Sequence, residues 1–244
     1  STQAKTLFPY TTLFRSAPDD EPVLALPGDA PARLSGELGL SLGQIGIGGP
    51  VEISHAAGRI GFALREAALG LPVWAMAGAG LTLTGTLADT PPYALRAHIG
   101  LPALSSNAHP ALHAPLALSG DCDGALDGVL GCELALSLAG GPVLGRLDGR
   151  HDCTDGRGEL HLRNSRITLG DTDTTDTVSI ATLSPALAAS VEAARGRIAA
   201  GADAGWGDGH TQTRGELRVT ALELVTRSGV RAQGIDGVLR ADRL

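Results

Sequence analysis

Leu130-Gly131-Cys132-Glu133-Leu134-Ala135-Leu136-Ser137-Leu138 places an apolar residue at every second position. Leu130, Cys132, Leu134, Leu136 and Leu138 share one parity, and Glu133, Ala135 and Ser137 share the other. A period of two is the signature of a β-strand with one face turned away from water. The same pattern recurs on both sides of this stretch. Leu34, Leu38, Leu40 and Leu42 share a parity with Gly36 among them, and Ile60, Phe62 and Leu64 alternate with Gly61, Ala63 and Arg65. Tyr93, Leu95, Ala97 and Ile99 alternate with Ala94, Arg96 and His98. Leu160 and Leu162 alternate with Glu159, His161 and Arg163, and Leu217 and Val219 with Glu216, Arg218 and Thr220. The parity then shifts to Leu222 and Leu224, as a one-residue bulge requires.

Turn signals separate these runs. Asp123-Gly124, Asp127-Gly128, Asp148-Gly149, Asp155-Gly156, Asp208-Gly209, Ser228-Gly229 and Asp236-Gly237 suit the positive backbone dihedrals of tight hairpins or, inside a strand, bulges. One short helix is expected near residues 185–195. Ser184 caps it, Pro185 takes its first position, Gly196 ends it, and Leu187 and Val191 face the sheet. The phrase Gly-Glu-Leu recurs at Gly36, Gly158 and Gly215 with irregular spacing, which implies similar hairpins rather than a strict repeat. The expected fold class is all-β, an antiparallel sheet with that single helix.

The chain carries 19 basic and 26 acidic residues, with Lys5 its one lysine. An acidic chain without a basic stripe is a poor nucleic-acid binder, so no nucleic-acid partner is expected. Aromatics make up 3% of the residues, too few for the girdles of a transmembrane β-barrel. The uncharged stretch from Ala67 to Ala88 is long enough to span a bilayer. It is broken by Gly70, Pro72, Gly78, Gly80 and Gly85 and alternates in its second half, so it reads as strands. Cys122, Cys132 and Cys153 leave two arrangements open: a Cys122–Cys132 bridge across a hairpin, or three free thiols.

Chemistry-bearing clusters are weak. His109 and His113 have ligand spacing only if helical, and Pro110 and Pro115 oppose a helix there. Asp171, Asp173 and Asp176 resemble part of a calcium loop but lack its central glycine and terminal glutamate. Gly46-Ile47-Gly48-Gly49 and Gly78-Ala79-Gly80 lack the strand–turn–helix context of a nucleotide site, and Ser105 and Ser106 lack a nucleophile elbow. No nucleophile, base and orienting acid assemble, so the expectation is a protein that is not an enzyme, with no cofactor and no metal.

Thr6–Ser16 resembles, residue for residue, the in-frame translation of a sequencing-library adapter, and it holds three of the seven aromatics. Residues 1–16 are therefore set aside as an artefact and expected to be disordered. Without them the chain has 17 basic against 26 acidic residues. Residues 17–244 are expected to form a fragment of one extended β-sheet domain, truncated at both ends.

The last third carries a family pattern. It runs through Leu183-Ser184-Pro185, Gly196-Arg197-Ile198, Gly205-Trp206-Gly207-Asp208-Gly209, Gly215-Glu216-Leu217-Arg218-Val219, Leu222, Gly229-Val230 and Gly234-Ile235-Asp236-Gly237-Val238-Leu239. Over about Leu183–Leu244 this resembles the YdbH-type branch of the AsmA-like envelope proteins; residues 32–182 agree in style only. The resemblance implies an elongated, curved β-sheet groove in the periplasm of a diderm bacterium, anchored in the inner membrane through a part of the chain not present here. It implies a conduit carrying phospholipid acyl chains between inner and outer membranes, with a small outer-membrane lipoprotein as a partner. Leu130, Leu134, Leu136, Leu138, Leu160, Leu162, Leu217 and Val219 are the residues expected to line the groove. The rival expectation is a structural or adhesive β-solenoid surface protein.

Overall fold

Leu130–Leu138 lies near the middle of a single open antiparallel sheet. The computed structural model describes residues 13–15, 32–42, 45–71, 76–111, 113–174 and 177–242. The strands are β1 (Leu13–Arg15), β2 (Ala32–Leu42), β3 (Ile45–Ala56), β4 (Arg59–Leu71), β5 (Met76–Ala88), β6 (Ala94–Ser106) and β7 (Leu116–Ala125). They continue as β8 (Val129–Leu138), β9 (Val143–Asp152), β10 (Gly158–Leu169), β11 (Val191–Gly207), β12 (His210–Thr226) and β13 (Arg231–Asp242). Strand order in the sheet equals order in the chain, and every neighbour is antiparallel. The protein is all-β, as the alternation implied. An antiparallel meander is also not the stacked parallel coil of a β-solenoid.

Leu13–Arg15 pairs with Glu37–Gly39 of β2. An exposed strand edge offers its free N–H and C=O groups to any extended backbone, so this pairing needs no particular sequence. The rest of the adapter-like segment, together with Trp74 and Asp176, lies outside the described residues.

Four of the Asp-Gly or Ser-Gly pairs are at hairpin turns: Asp127-Gly128, Asp155-Gly156, Asp208-Gly209 and Ser228-Gly229. Asp208 and Gly209 have φ of 52° and 75°, the paired positive values that match the twist of the flanking strands. Ala57-Gly58 does the same at 51° and 71° without an Asp to announce it. Asp123-Gly124, Asp148-Gly149 and Asp236-Gly237 lie inside strands instead.

The helix expectation needs correction. Two single-turn helices replace it, α1 (Ile180–Leu183) and α2 (Pro185–Ala188). Ser184 does cap α2 by accepting from the Leu187 N–H, and Pro185 is in its first turn. Val191 to Gly196 begin β11 rather than continue a helix, and Leu187 is 51% exposed. Alanine content favours a helix locally, but pairing of Val191–Gly207 with β12, joined by β10 from Gly196 onward, wins.

One-residue register shifts recur across the sheet. They fall between Leu64 and Ala67 in β4, Leu101 and Leu104 in β6, Leu162 and Ser165 in β10, and Val219 and Leu222 in β12. Glu66 and Ala221 take φ of 52° and 49° at two of them. A bulge bends its strand and sharpens its twist. The largest buried cluster, Val51, Leu64, Ala67, Leu81, Leu101 and Leu104, gathers at this crease. The β12 shift is the one that Leu222 and Leu224 announced.

Candidate functional site: an uncharged sheet face

Directly paired residues of an antiparallel sheet point to the same side. One row can therefore be followed from strand to strand: Gly36, Val51, Leu64, Leu83, Ile99, Gly120, Leu134, Leu147, Leu162, Ala202, Gly215, Ala241. Every member is apolar or glycine across twelve strands. A second row runs Leu34, Ile53, Phe62, Gly85, Ala97, Cys122, Cys132, Gly149, Leu160, Ala204, Thr213. Shifting by one residue gives the opposite side: Glu52, Ala63, Thr84, His98, Asp121, Glu133, Asp148, His161, Asp203, Arg214, Asp242.

All eight expected lining residues fall on the uncharged side. Leu130 is opposite Gly124, Leu136 opposite Leu118, and Leu138 opposite Leu116. Leu160 lies opposite Ala204, Leu217 opposite Ala200 and Leu239, and Val219 opposite Ile198. Their exposure differs. Leu138 is 2% exposed, packed with Leu144 and Val178, whereas Leu217 is 37% exposed and its neighbour Leu239 67%. Leu130, Leu134, Leu136, Leu160, Leu162 and Val219 are half-buried.

The bulges keep charge off this side. Strict alternation after Leu64 would turn Glu66 inward; the shift presents Ala67 instead, fully buried, and leaves Glu66 exposed. In β10 the shift brings Ser165, Ile167 and Leu169 onto the face shared with Leu162. Glycine supplies room where the face curls. A Cβ on Gly85 would lie 2.6 Å from the Phe62 ring, and one on Gly158 would lie 2.3 Å from the Trp206 indole. Trp206 donates its indole N–H to His151 Nδ1 at 3.3 Å and stacks on that ring, ending the face at the Asp208-Gly209 turn.

The sequence did not single out β7 or β9 as lining strands. In β9 the signal is present: Gly145, Leu147 and Gly149 alternate with Arg146, Asp148 and Arg150. The Asp148-Gly149 pair reads as a turn and hides it. In β7 Leu116, Leu118, Gly120 and Cys122 face the same way.

Cys122 and Cys132 form a disulfide between directly opposed residues of β7 and β8, with Cα atoms 4.0 Å apart, on the uncharged side. Cys153 is free, and burial pushes its thiol up.

The opposite side is solvated and ion-paired. His161 Nδ1 lies 2.6 Å from Asp203, and its Nε2 3.4 Å from Glu159. The hydrogen bond to Asp203 is the main cause that raises the imidazole above its ordinary value. Arg195 forks onto Asp171 and holds that carboxyl below the usual carboxylate range. Asp173 accepts from the Ser179 N–H at 2.7 Å and the Thr182 hydroxyl at 2.6 Å, which lowers it likewise. These two aspartates thus serve as local anchors. His113 Nδ1 lies 2.7 Å from its neighbour's carbonyl, that of Ala114, and His109 is exposed. Among the described residues no three His, Cys, Asp or Glu side chains gather as a metal centre would, and no helix is long and apolar enough to cross a membrane.

No protein-family model matches this chain, and neither a curated protein nor a solved structure does.

Proposed function

We propose that this chain is a periplasmic piece of a YdbH-type AsmA-like envelope protein and acts as a non-catalytic trough for phospholipid acyl chains between inner and outer membranes. The observation that carries this reading is the pair of neighbouring uncharged rows, one of them unbroken from β2 to β13, on a side that is partly open, as at Leu217 and Leu239. Soluble proteins rarely leave a contiguous apolar surface of this kind uncovered unless something binds there. Each methylene of an acyl chain removed from water contributes about 0.8 kcal/mol. The two rows followed above carry no charge to hold the chain at one place, the His55–Asp89 pair lying in the next row toward the strand ends, so it can slide. The headgroup stays in water beside the solvated rims. Envelope location, inner-membrane anchoring and a lipoprotein partner follow from the family resemblance and belong to the same proposal.

The test is site-specific photocrosslinking. A benzophenone side chain replaces Leu160 or Leu217 on the uncharged side, or Arg218 on the other. The purified chain is irradiated with phosphatidylethanolamine–phosphatidylglycerol vesicles. Phospholipid adducts are expected at Leu160 and Leu217 and not at Arg218. Equal labelling at all three positions, or none at the two leucines, overturns the reading.

A further inference from the structure

Charge is divided along the strands as well as between the two sides of the sheet. Residues 38–51, 67–88, 97–120 and 134–145 contain no Asp, Glu, Lys or Arg. Each stretch spans one connection: β2–β3, β4–β5, β6–β7 or β8–β9. In an antiparallel meander alternate connections lie at the same end of the strands, so all four share one rim. The opposite rim carries Arg59, Asp89, Asp127 and Asp155 at or beside its turns.

The charge stops along a line. The last charged row starts at Glu37, opposite Pro50. It passes the Arg65–Glu66 bulge, which faces Thr82, and runs through Gly100, Ser119 and Ala135 to Arg146. Beyond that row each strand from β2 to β9 continues for three to six residues before it ends. At about 3.3 Å per residue this is a band roughly 10–20 Å deep.

Burial accounts for only one side of this band. Its inner side holds Leu104, Leu138 and Leu144, which are enclosed. On its outer side Pro50, Ala68, Ala79, Pro102 and Ser119 are exposed, and folding does not keep charge away from such positions. At one tip Val143 is 62% exposed, close to the exposed Gly140 and Gly141. A level band without charge on either side fits a flat apolar medium, in which a charged side chain is costly whichever way it points. Its depth is comparable with one leaflet, half of the roughly 30 Å hydrocarbon core.

A bilayer also accepts backbone only where its polar groups are paired. Strands β3 to β8 have a partner along both edges. At the β8–β9 turn the Leu138 N–H donates to the Pro142 carbonyl, the Ala139 N–H to the Pro115 carbonyl and the Gly141 N–H to the Leu138 carbonyl. Asn107, His109 and His113, in the β6–β7 connection, set the depth. Their polar groups suit the headgroup layer, which keeps this rim at the boundary of headgroups and acyl chains rather than at the bilayer centre.

We infer that the charge-free rim of β2–β9 docks on a lipid bilayer, with its turns at the headgroup–acyl boundary. The inference stands on the charge pattern and reaches beyond the trough reading. Where both hold, an acyl chain leaving the bilayer at this rim meets the uncharged rows without passing a charge.

The experiment compares the two rims. The Cys153→Ser chain, which keeps the Cys122–Cys132 disulfide, receives Val143→Cys on this rim or Asp127→Cys on the other. Each is labelled with the polarity-sensitive fluorophore NBD and read with and without phosphatidylethanolamine–phosphatidylglycerol vesicles. Vesicle flotation is measured in parallel for Val143→Asp and Val129→Asp, which alter an exposed valine at each rim. The expected result is blue-shifted, brighter emission with vesicles for Val143→Cys and no change for Asp127→Cys. Val143→Asp should weaken vesicle binding about tenfold, and Val129→Asp by less than about twofold. No response at Val143→Cys, or an equal response at both labels, overturns the docking. So does a blue shift at Val143→Cys that follows protein concentration without vesicles, since a second copy then covers the rim. Phospholipid crosslinks at Leu160 and Leu217 report the trough separately. Their loss beside a Val143→Cys response removes the trough and leaves the docking, and the reverse pattern removes the docking and leaves the trough.

Discussion

Leu64 and Leu239 lie on the same side of the same sheet, yet Leu64 is 2% exposed and Leu239 67%. Around Leu64 the strands β3 to β7 bend at bulges and gather Val51, Ala67, Leu81, Leu101 and Leu104 into a buried cluster. Around Leu239 the strands β12 and β13 end the sheet, and nothing in the described chain lies over them. The contrast shows that apolar residue type sets which side a strand turns inward, while enclosure comes from curvature and from what lies across the face. A core and a trough are here two conditions of one surface.

The largest expected effect separates the two regions directly. Leu64→Ala or Leu101→Ala removes a fully enclosed side chain and should cost about 2–5 kcal/mol of unfolding free energy. Leu239→Ala should stay within about 0.5 kcal/mol, as for an exposed position. Urea denaturation of the three variants measures both. Equal losses would mean the open region is enclosed in solution as firmly as the bent one.

Glycine substitution sharpens the same comparison at smaller scale. A Cβ at Gly120 would sit 2.0 Å from the Glu133 carbonyl oxygen, whereas Gly36 has open space around it. Gly120→Ala should cost about 1–3 kcal/mol through forced displacement of β8. Gly36→Ala should be neutral or gain up to about 1 kcal/mol from lost chain entropy in the unfolded state. Matching melting temperatures for the two variants would contradict the tight crossing of β7 and β8.

The smallest effect lies on the solvated side, where His161 links β10 to β11. Its folded-state pKa is raised, mainly by Asp203. Its protonated form therefore stabilises the fold fully below the ordinary histidine value of about 6.5, and that contribution is lost as pH rises through the folded value. Stability of the native chain should fall slightly over that window, and His161→Gln should flatten the profile. An NMR titration placing the His161 pKa at or below the ordinary value would refute this.

Much of the fold was legible because alternation is a local property. Leu130–Leu138 needed no partner to declare its inward side, and Asp208-Gly209 declared its turn. That the eight residues expected to line a groove share one side follows from the same signal, since pairing preserves parity from strand to strand. Three things were not legible. Residues 185–195 read as a helix because alanines favour one, and only pairing with β12 makes Val191–Arg195 a strand. β9 hid its alternation behind Asp148-Gly149, a turn signal placed inside a strand. The closure over Leu138 depends on Val178, forty residues away, and on strands that part at a bulge, neither of which leaves a periodic trace.

The register shifts also bear on how such a chain can change in length. In a regular strand, losing one residue sends every later side chain to the wrong side of the sheet. At Ala221 the extra residue is already looped out, so its deletion would leave Val219, Leu222 and Leu224 facing together. The same holds for Glu66 between Leu64 and Ala67. These positions act as expansion joints: single-residue insertions and losses can accumulate there over generations without wetting the trough, while the stretches between them must keep their count.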